Sequence, residues 1–271
     1  EILETRSIVV DITERKRAEV AFRKYMEELK RSNEELEQFA YIASHDLQEP
    51  LRKIQAFGDR VRSKYKDVLD ERGQDYLRRM QEAAARMQSL ITDLLMLSRV
   101  TSKAQPFVEV DLDQVAHEVL SDLEVRIERM GGQVEISDMP TVKADPMQMR
   151  QLLQNLISNA LKFRREDRPP SVKVYGRVLR GSAARGVKSP AYQIHVEDNG
   201  IGFDEKYLDR IFKPFQRLHG RNTYEGSGIG LAICHKIAER HGGAITATST
   251  PGQGATFTIT LNKNPGEGGV L

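Results

Sequence analysis

The chain has 271 residues, 39% of them hydrophobic and 30% charged. That is long enough for two domains with buried cores and too apolar for a disordered chain. The net charge of +2 arises from 41 basic residues interleaved with 39 acidic ones, so there is no case for nucleic acid. No apolar run reaches membrane-spanning length and no signal-peptide pattern opens the chain, so a cytoplasmic location is expected unless an upstream segment tethers it. The single cysteine, Cys234, cannot form an intrachain disulfide or a thiolate metal site, which fits a reducing compartment.

The chain opens on Glu1 rather than Met, and the expectation is a fragment preceded by another domain. "TRSIVV" has strand character, and "DITERKRAE" turns into helix with Thr13 as N-cap. This junction resembles the end of a PAS sensor domain, which marks residues 1–13 as its tail and implies an upstream sensor. From Glu14 the pattern stays helical until Pro50. Phe22, Leu29, Leu36 and Ala43 recur every seven residues, with Tyr25, Ser32 and Phe39 between them. That is a coiled-coil seam, weakened at Ser32, and residues 14–38 are expected to be a signalling helix.

A polar connector around Gly73 follows. Tyr76, Met80, Ala83, Met87, Leu90, Leu94 and Leu97 then alternate steps of four and three. Two amphipathic helices with a short connection predict an antiparallel hairpin over residues 39–103. A hairpin this narrow leaves apolar surface over, so a homodimer closing a four-helix bundle is expected.

Beyond Gln105 and Pro106 the pattern changes. "FVEVDL", a helix over Asp113–Met130, "QVEIS", "TVKA", a helix from Asp145-Pro146 to about Phe163, "SVKVYGRVL", "AYQIHVED", a helix after "GSGIG" and a hairpin "AITATSTPGQGATFTITL" succeed one another. Helices and strands mix without βαβ regularity, which predicts an α+β fold over residues 104–262. "RGSAARGVKSP" reads as a flexible loop and residues 263–271 as a flexible tail. There is no P-loop, no dinucleotide fingerprint and no metal-binding His-Glu-x-x-His helix.

Three segments nevertheless suit a nucleotide. In "QNLISNALKFRR", Asn155, Asn159 and Lys162 share a helix face, and amides beside a lysine suit a magnesium–phosphate cluster. In "EDNGIGF", Gly200 and Gly202 permit close backbone approach, and Asp198 can accept a hydrogen bond from an exocyclic amine. In "GSGIGLAICHKIAERHGG", Gly226, Gly228 and Gly230 lead into a helix whose free N–H groups and dipole favour phosphate. "IFKPFQRLHGRNTYE" between the last two has the length of a lid, with Phe212 and Phe215 as hinge and Arg217 toward a terminal phosphate. Near the N-terminus, "SHDLQEPL" carries His45, Asp46, Glu49 and Pro50 on one helix.

These blocks resemble, in order, the H-box, N-box, first glycine box, F-box and second glycine box of histidine kinases, whose ATP-binding domain has the Bergerat fold. The resemblance spans Phe39–Gly243. It implies a helical dimerisation and phosphotransfer domain followed by an α/β two-layer sandwich that binds ATP and Mg2+. His45 would be the phosphoacceptor, and Asp46 the acid that orients its imidazole, once its side chain swings around the helix. Asn159 would hold magnesium, with Asn155 supporting it and Lys162 on phosphate oxygens. Asp198 would read adenine, with Gly200 and Gly202 lining its pocket. The implied partners are a second copy and the receiver domain of a response regulator, which takes the phosphoryl group on an aspartate.

One departure stands out. Relatives with phosphatase activity place Asn or Thr four residues after the histidine, to position a water. Here Glu49 stands there, which implies weak phosphatase action by that route. His117, His195, His219 and His235 read as bland surface or core residues, His241 as a helix C-terminal residue favourable to the dipole, and Cys234 as a small buried apolar residue. Two other readings compete: an ATP-driven clamp on the same nucleotide fold, and a dimerisation module without chemistry. The hairpin around His45 disfavours the first, and the completeness of the boxes disfavours the second.

Overall fold

The computed structural model describes residues 12–102, 105–179, 191–218, 224 and 226–262. The expected PAS tail, the loop after residue 179, most of the tip of the lid and the C-terminal tail lie outside the described residues. Two long helices come first, α1 (Thr13–Tyr65) and α2 (Glu71–Ser102). Thr13 lies inside α1 and not at its cap, where Ile12 makes no side-chain cap bond. Pro50 sits within α1, and the helix continues across it. Gly73 is likewise helical, in the first turn of α2, where its N–H donates to Asp70 Oδ1 at 2.7 Å. The connector is therefore residues 66–70, shorter than its polar composition suggests.

The antiparallel register of the hairpin is fixed by side-chain pairs. Arg99 lies over the Tyr41 ring at 5.2 Å, Gln48 Nε2 donates to Thr92 Oγ1 at 3.4 Å, and Gln81 Nε2 donates to Asp59 Oδ1 at 2.8 Å. Leu51 and Ser44 of α1 and Ala84 and Leu95 of α2 are buried between the helices. The stripe that α2 turns inward is thus one residue on from the predicted seam. Tyr76, Met80, Met87 and Leu94 remain exposed, as do Leu47, Ile54 and Phe57 on α1. Phe22, Tyr25 and Leu29 of the predicted coiled coil are also exposed, and the side chains of Leu36 and Phe39 lie outside the described residues.

The second domain is built of β1 (Val108–Asp111), α3 (Leu112–Arg129), β2 (Gln133–Ser137), β3 (Thr141–Ala144), α4 (Pro146–Lys162), β4 (Ser171–Leu179), β5 (Ala191–Asp198), α5 (Leu208–Ile211), α6 (Gly230–Arg240), β6 (Ala244–Thr250) and β7 (Gly254–Asn262). β1 and β3 form an antiparallel pair, and the main sheet runs β2-β4-β5-β7-β6 with only β2 and β4 parallel. Along β4, Val172 and Val174 are buried while Ser171 and Lys173 are exposed, the alternation of a sheet covered on one face. Leu152, Leu156 and Ile157 of α4 and Ile233 and Ile237 of α6 cover that face and share one core with Ile194, Val196 and Ile259. The result is the expected helix-over-sheet sandwich.

A polar joint ties the halves together. Gln148 Nε2 donates to Val100 O at 2.7 Å, Lys236 Nζ to Leu97 O at 3.1 Å, and Gln151 Nε2 lies 3.0 Å from Met96 Sδ. The first two meet carbonyls of the last turns of α2, and the third a side-chain sulfur. Behind them, buried Asp145 caps α4 through Met147 N and Gln148 N, accepts from Gln105 N at 2.7 Å, and pairs with Arg240 at 3.0 Å. His241 corrects its sequence reading. It is buried, its Nε2 accepts from Asp145 N, and its Nδ1–H donates to Ile237 O, so it is a neutral tautomer and not a dipole-matched cation. Burial holds its pKa below the usual imidazole value.

Candidate active site

His45 and Asp46 sit side by side on α1 and both are largely exposed. The side-chain swing that neighbouring helix positions require has taken place: His45 Nδ1 and Asp46 Oδ1 are 3.3 Å apart. A carboxylate accepting from Nδ1–H fixes the tautomer in which the Nε2 lone pair is available for attack. Ser44 and Leu51 anchor this segment in the hairpin while the imidazole faces solvent. Glu49, one turn on, is paired with Lys53 at 2.7 Å. The hydrogen bond from Lys53 holds its carboxyl below the usual range, so it stays ionised near neutrality.

The nucleotide residues lie around the ends of α4, β5 and α6. Asp198 ends β5 and is partly buried. Its Oδ1 accepts from Gly200 N at 2.8 Å and Ala255 N at 3.3 Å, while Oδ2 has no partner among the described residues. Burial pushes its carboxyl up to about 6, against the opposing pull of those two N–H groups. One oxygen is therefore locked and the other is left to accept from a ligand amine. Gly202 adopts φ +60°, and a Cβ there would lie 2.2 Å from Thr250 O. A Cβ on Gly200 would lie 2.4 Å from Phe163 O. Only glycine fits at either place.

Asn155 Nδ2 lies 3.4 Å from Gly230 O, which brings α4 to the start of α6. The Asn159 side chain is partly buried and makes no hydrogen bond among the described residues. Lys162 Nζ stands 4.2 Å from the centre of the Phe163 ring, and 2.9 Å from where a Cβ on Gly226 would be. α3 and α4 carry aspartate caps at their N-termini, but α6 begins after Ile229 with no side-chain cap. Its first N–H groups thus face the loop of Gly226 and Gly228 without a protein carboxylate to compete with phosphate.

The lid residues are placed differently. Arg217 donates to Gly226 O at 2.8 Å and to Tyr224 O, so it clasps the glycine loop. The Phe212 ring lies tilted against His235 of α6, centroids 5.8 Å apart, and lines a cleft of about 420 Å3 with Leu208, Ile245 and Ala247. The ring of Phe215 is exposed, and its backbone, at φ +63°, runs against Gly228. The sequence reading gave no role in the site to Tyr224, whose ring meets Phe163 at 5.0 Å, or to the turn of the predicted hairpin, which supplies Ala255 N. The glycines of "TPGQG" were the only sequence sign of that turn.

Among the described residues no group of three or more His, Cys, Asp or Glu side chains could hold a metal ion, and no helix is long and apolar enough to cross a membrane. An amide oxygen at Asn159 is a hard donor, and it suits a magnesium ion that takes its other ligands from phosphates and water.

The His Kinase A (phospho-acceptor) domain family matches residues 35–103, and the histidine kinase-, DNA gyrase B- and HSP90-like ATPase family matches residues 144–265. The phytochrome-like protein Cph1 of Synechocystis sp. is 40% identical over 233 residues, which are 86% of this chain and 30% of that protein. Cyanobacterial phytochrome A of Nostoc sp. is 40% identical over 259 residues, 96% of this chain and 32% of that protein. The chain thus spans about a third of the length of these curated relatives. Among solved structures, full-length ShkA in complex with AMPPNP superposes with a TM-score of 0.60 at 25% identity, over 83% of this chain and 45% of that one. The histidine kinase ThkA in complex with the response regulator protein TrrA gives a TM-score of 0.58 at 25% identity, over 89% of this chain and 66% of that one. Both halves are matched in the order in which they stand, with His45 in the first and Asp198 in the second: the chain belongs to the histidine kinase family.

Proposed function

We propose that this chain phosphorylates itself on His45 at the expense of ATP and passes the phosphoryl group to an aspartate on the receiver domain of a response regulator. The observation that carries the reading is the His45–Asp46 pair, exposed on the hairpin with Nδ1 engaged. The Nε2 lone pair attacks the γ-phosphorus, the bond from that phosphorus to the bridging oxygen breaks, and ADP leaves with the electron pair. Asp46 holds the ring and stabilises the charge that develops on it. The ATP-binding domain mainly positions the donor, as phosphoryl transfer requires. Asp198 Oδ2 accepts from the adenine amine, the open N-terminus of α6 meets phosphate oxygens, and Lys162 lies beside the loop that would cover them.

Asn159 would hold Mg2+, with Asn155 in support. The ion supplies neutralisation of the triphosphate. A second copy would cover the exposed stripe of Leu47, Ile54 and Phe57 on α1 and Met80, Met87 and Leu94 on α2, completing a four-helix bundle. The length of the relatives fits an upstream sensor domain, of PAS type by the opening residues. Incubation with γ-labelled ATP and Mg2+ tests the central claim. Acid-labile label is expected on the native chain and absent from His45→Gln; label that persists in that variant would refute the assignment.

A further inference from the structure

The adenine-facing carboxylate depends on a turn that is far away in sequence, and the turn is held by Arg165, the arginine that ends "QNLISNALKFRR" and to which that motif gives no role. Asp198 Oδ1 receives Ala255 N, the second residue of β7. The β6–β7 turn is pressed so close that a Cβ on Gly254 would lie 1.9 Å from Asp198 O. Its inner edge is stitched to the first glycine box by Gly252 N donating to Ile201 O at 2.7 Å, and that box is stitched to the end of α4 by Ile201 N donating to Phe163 O at 2.9 Å. Its outer edge is held by Arg165, whose Nη1 donates to Gly252 O at 2.5 Å. The guanidinium does not swing freely. Asp167 takes Nε at 2.8 Å and Nη2 at 2.5 Å, so two arms of the fork are fixed and the third is aimed at the turn.

We infer that Arg165, braced by Asp167, is a positioning residue for base recognition: it clamps the β6–β7 turn at the height where Ala255 N locks Asp198 Oδ1, leaving Oδ2 aimed at the adenine amine. The inference rests on the reading of Asp198 as the adenine acceptor. When the clamp is lost the turn recedes, Ala255 N leaves Oδ1, and the carboxylate gains freedom to rotate. An adenine amine then meets a less fixed acceptor. Guanine carries a carbonyl where adenine carries that amine, so it gains nothing from the ordered carboxylate and loses nothing with it. Arg165 therefore acts on selectivity between bases and not on phosphate binding.

The test is displacement of a fluorescent nucleotide from the full 271-residue chain by ATP and by GTP with Mg2+, for the native protein, Arg165→Met, Arg165→Lys, Asp167→Asn and Asp198→Asn. Arg165→Met and Arg165→Lys should each weaken ATP about tenfold, the scale of one charge-assisted hydrogen bond, and leave GTP unchanged. Asp167→Asn should fall between them and the native chain. In autophosphorylation the loss should appear in KM for ATP with kcat kept. Equal weakening of ATP and GTP in Arg165→Met, with Arg165→Lys normal, would show a plain charge effect and overturn the inference. An unchanged ATP preference in both Arg165 variants would also overturn it. Asp198→Asn separates the two layers: if that variant keeps the native preference, the reading of Asp198 itself fails.

Discussion

At Asp198, folding and binding ask for different things. Its carboxyl is pushed up to about 6 by burial, so the folded chain holds the proton more tightly than the unfolded one. The stability this gives is complete below the ordinary carboxylate pKa and lost as pH rises through about 6. Asp198→Asn should therefore melt higher than the native chain at neutral pH without nucleotide, with the difference shrinking on acidification and the ATP preference gone. Thermal melts across that pH range check it. ATP affinity of the native chain should fall as the pH drops below about 6, where the acceptor becomes protonated. Gly202 gives a steric counterpart: Gly202→Ala places a Cβ against Thr250 O at positive φ and should cost about 2 kcal/mol or more in a denaturation curve. Glu49→Thr removes an ionised group beside the phosphohistidine and should raise dephosphorylation of the regulator by roughly an order of magnitude in a phosphatase assay. At this scale Asp198, Gly200 and Gly202 were legible because their chemistry is written in consecutive residues. Arg165 and His241 were not. Their partners, Gly252 and Asp145, stand 87 and 96 positions away, and no local pattern announces them.

Among the elements, α6 divides its labour between its ends. Its open N-terminus faces the glycine loop, and its C-terminal Arg240 and His241 grip the cap of α4. Because His241 is buried as a neutral ring, its pKa lies below that of an exposed imidazole. The stability it supports is present above the ordinary imidazole pKa and is lost as the pH falls below it. The hairpin helices show why sequence periodicity has a limit. Steps of four and three along α2 fit the predicted stripe from Tyr76 to Leu97, and the stripe one residue on, through Leu77, Gln81, Ala84, Gln88, Ile91 and Leu95, keeps the same steps with two glutamines among its members. The structure turns the second stripe toward α1 and leaves much of the first outward. The glutamines let the second stripe bond across the hairpin, as Gln81 does to Asp59, while the apolar first stripe is left for another neighbour. Met87→Glu with Leu94→Glu should then convert a dimer to a monomer in light scattering and leave the melting of the ATP-binding domain intact. Retention of the dimer would refute the placement of the interface.

Over the whole molecule, the contacts of Gln148 with Val100 O, Lys236 with Leu97 O and Gln151 with Met96 connect the two halves, and Arg240, Asp145 and Gln105 brace Gln148 from behind. Asp145 is almost fully buried, so Arg240→Met leaves its carboxylate without a counter-ion and should destabilise the ATP-binding domain by about 3 kcal/mol, read from chemical denaturation. Apart from the short α5, the order of elements in the second domain was readable from the start, since α3 and α4 carry aspartate caps, β4 alternates and glycines lead into α6. The joint was not, because it combines carbonyls of α2 with side chains more than forty residues downstream. Its location has a kinetic meaning. Tyr41 lies level with Arg99 and Gln48 with Thr92, so His45 stands at the height of Leu95 to Met96, where Gln151 touches α2. The hairpin that carries His45 and the ATP-binding domain are joined by a few residues of chain after Ser102. Their encounter is governed by a local concentration that dilution leaves untouched, so within a preformed dimer the labelling rate should follow the amount of protein and not its square.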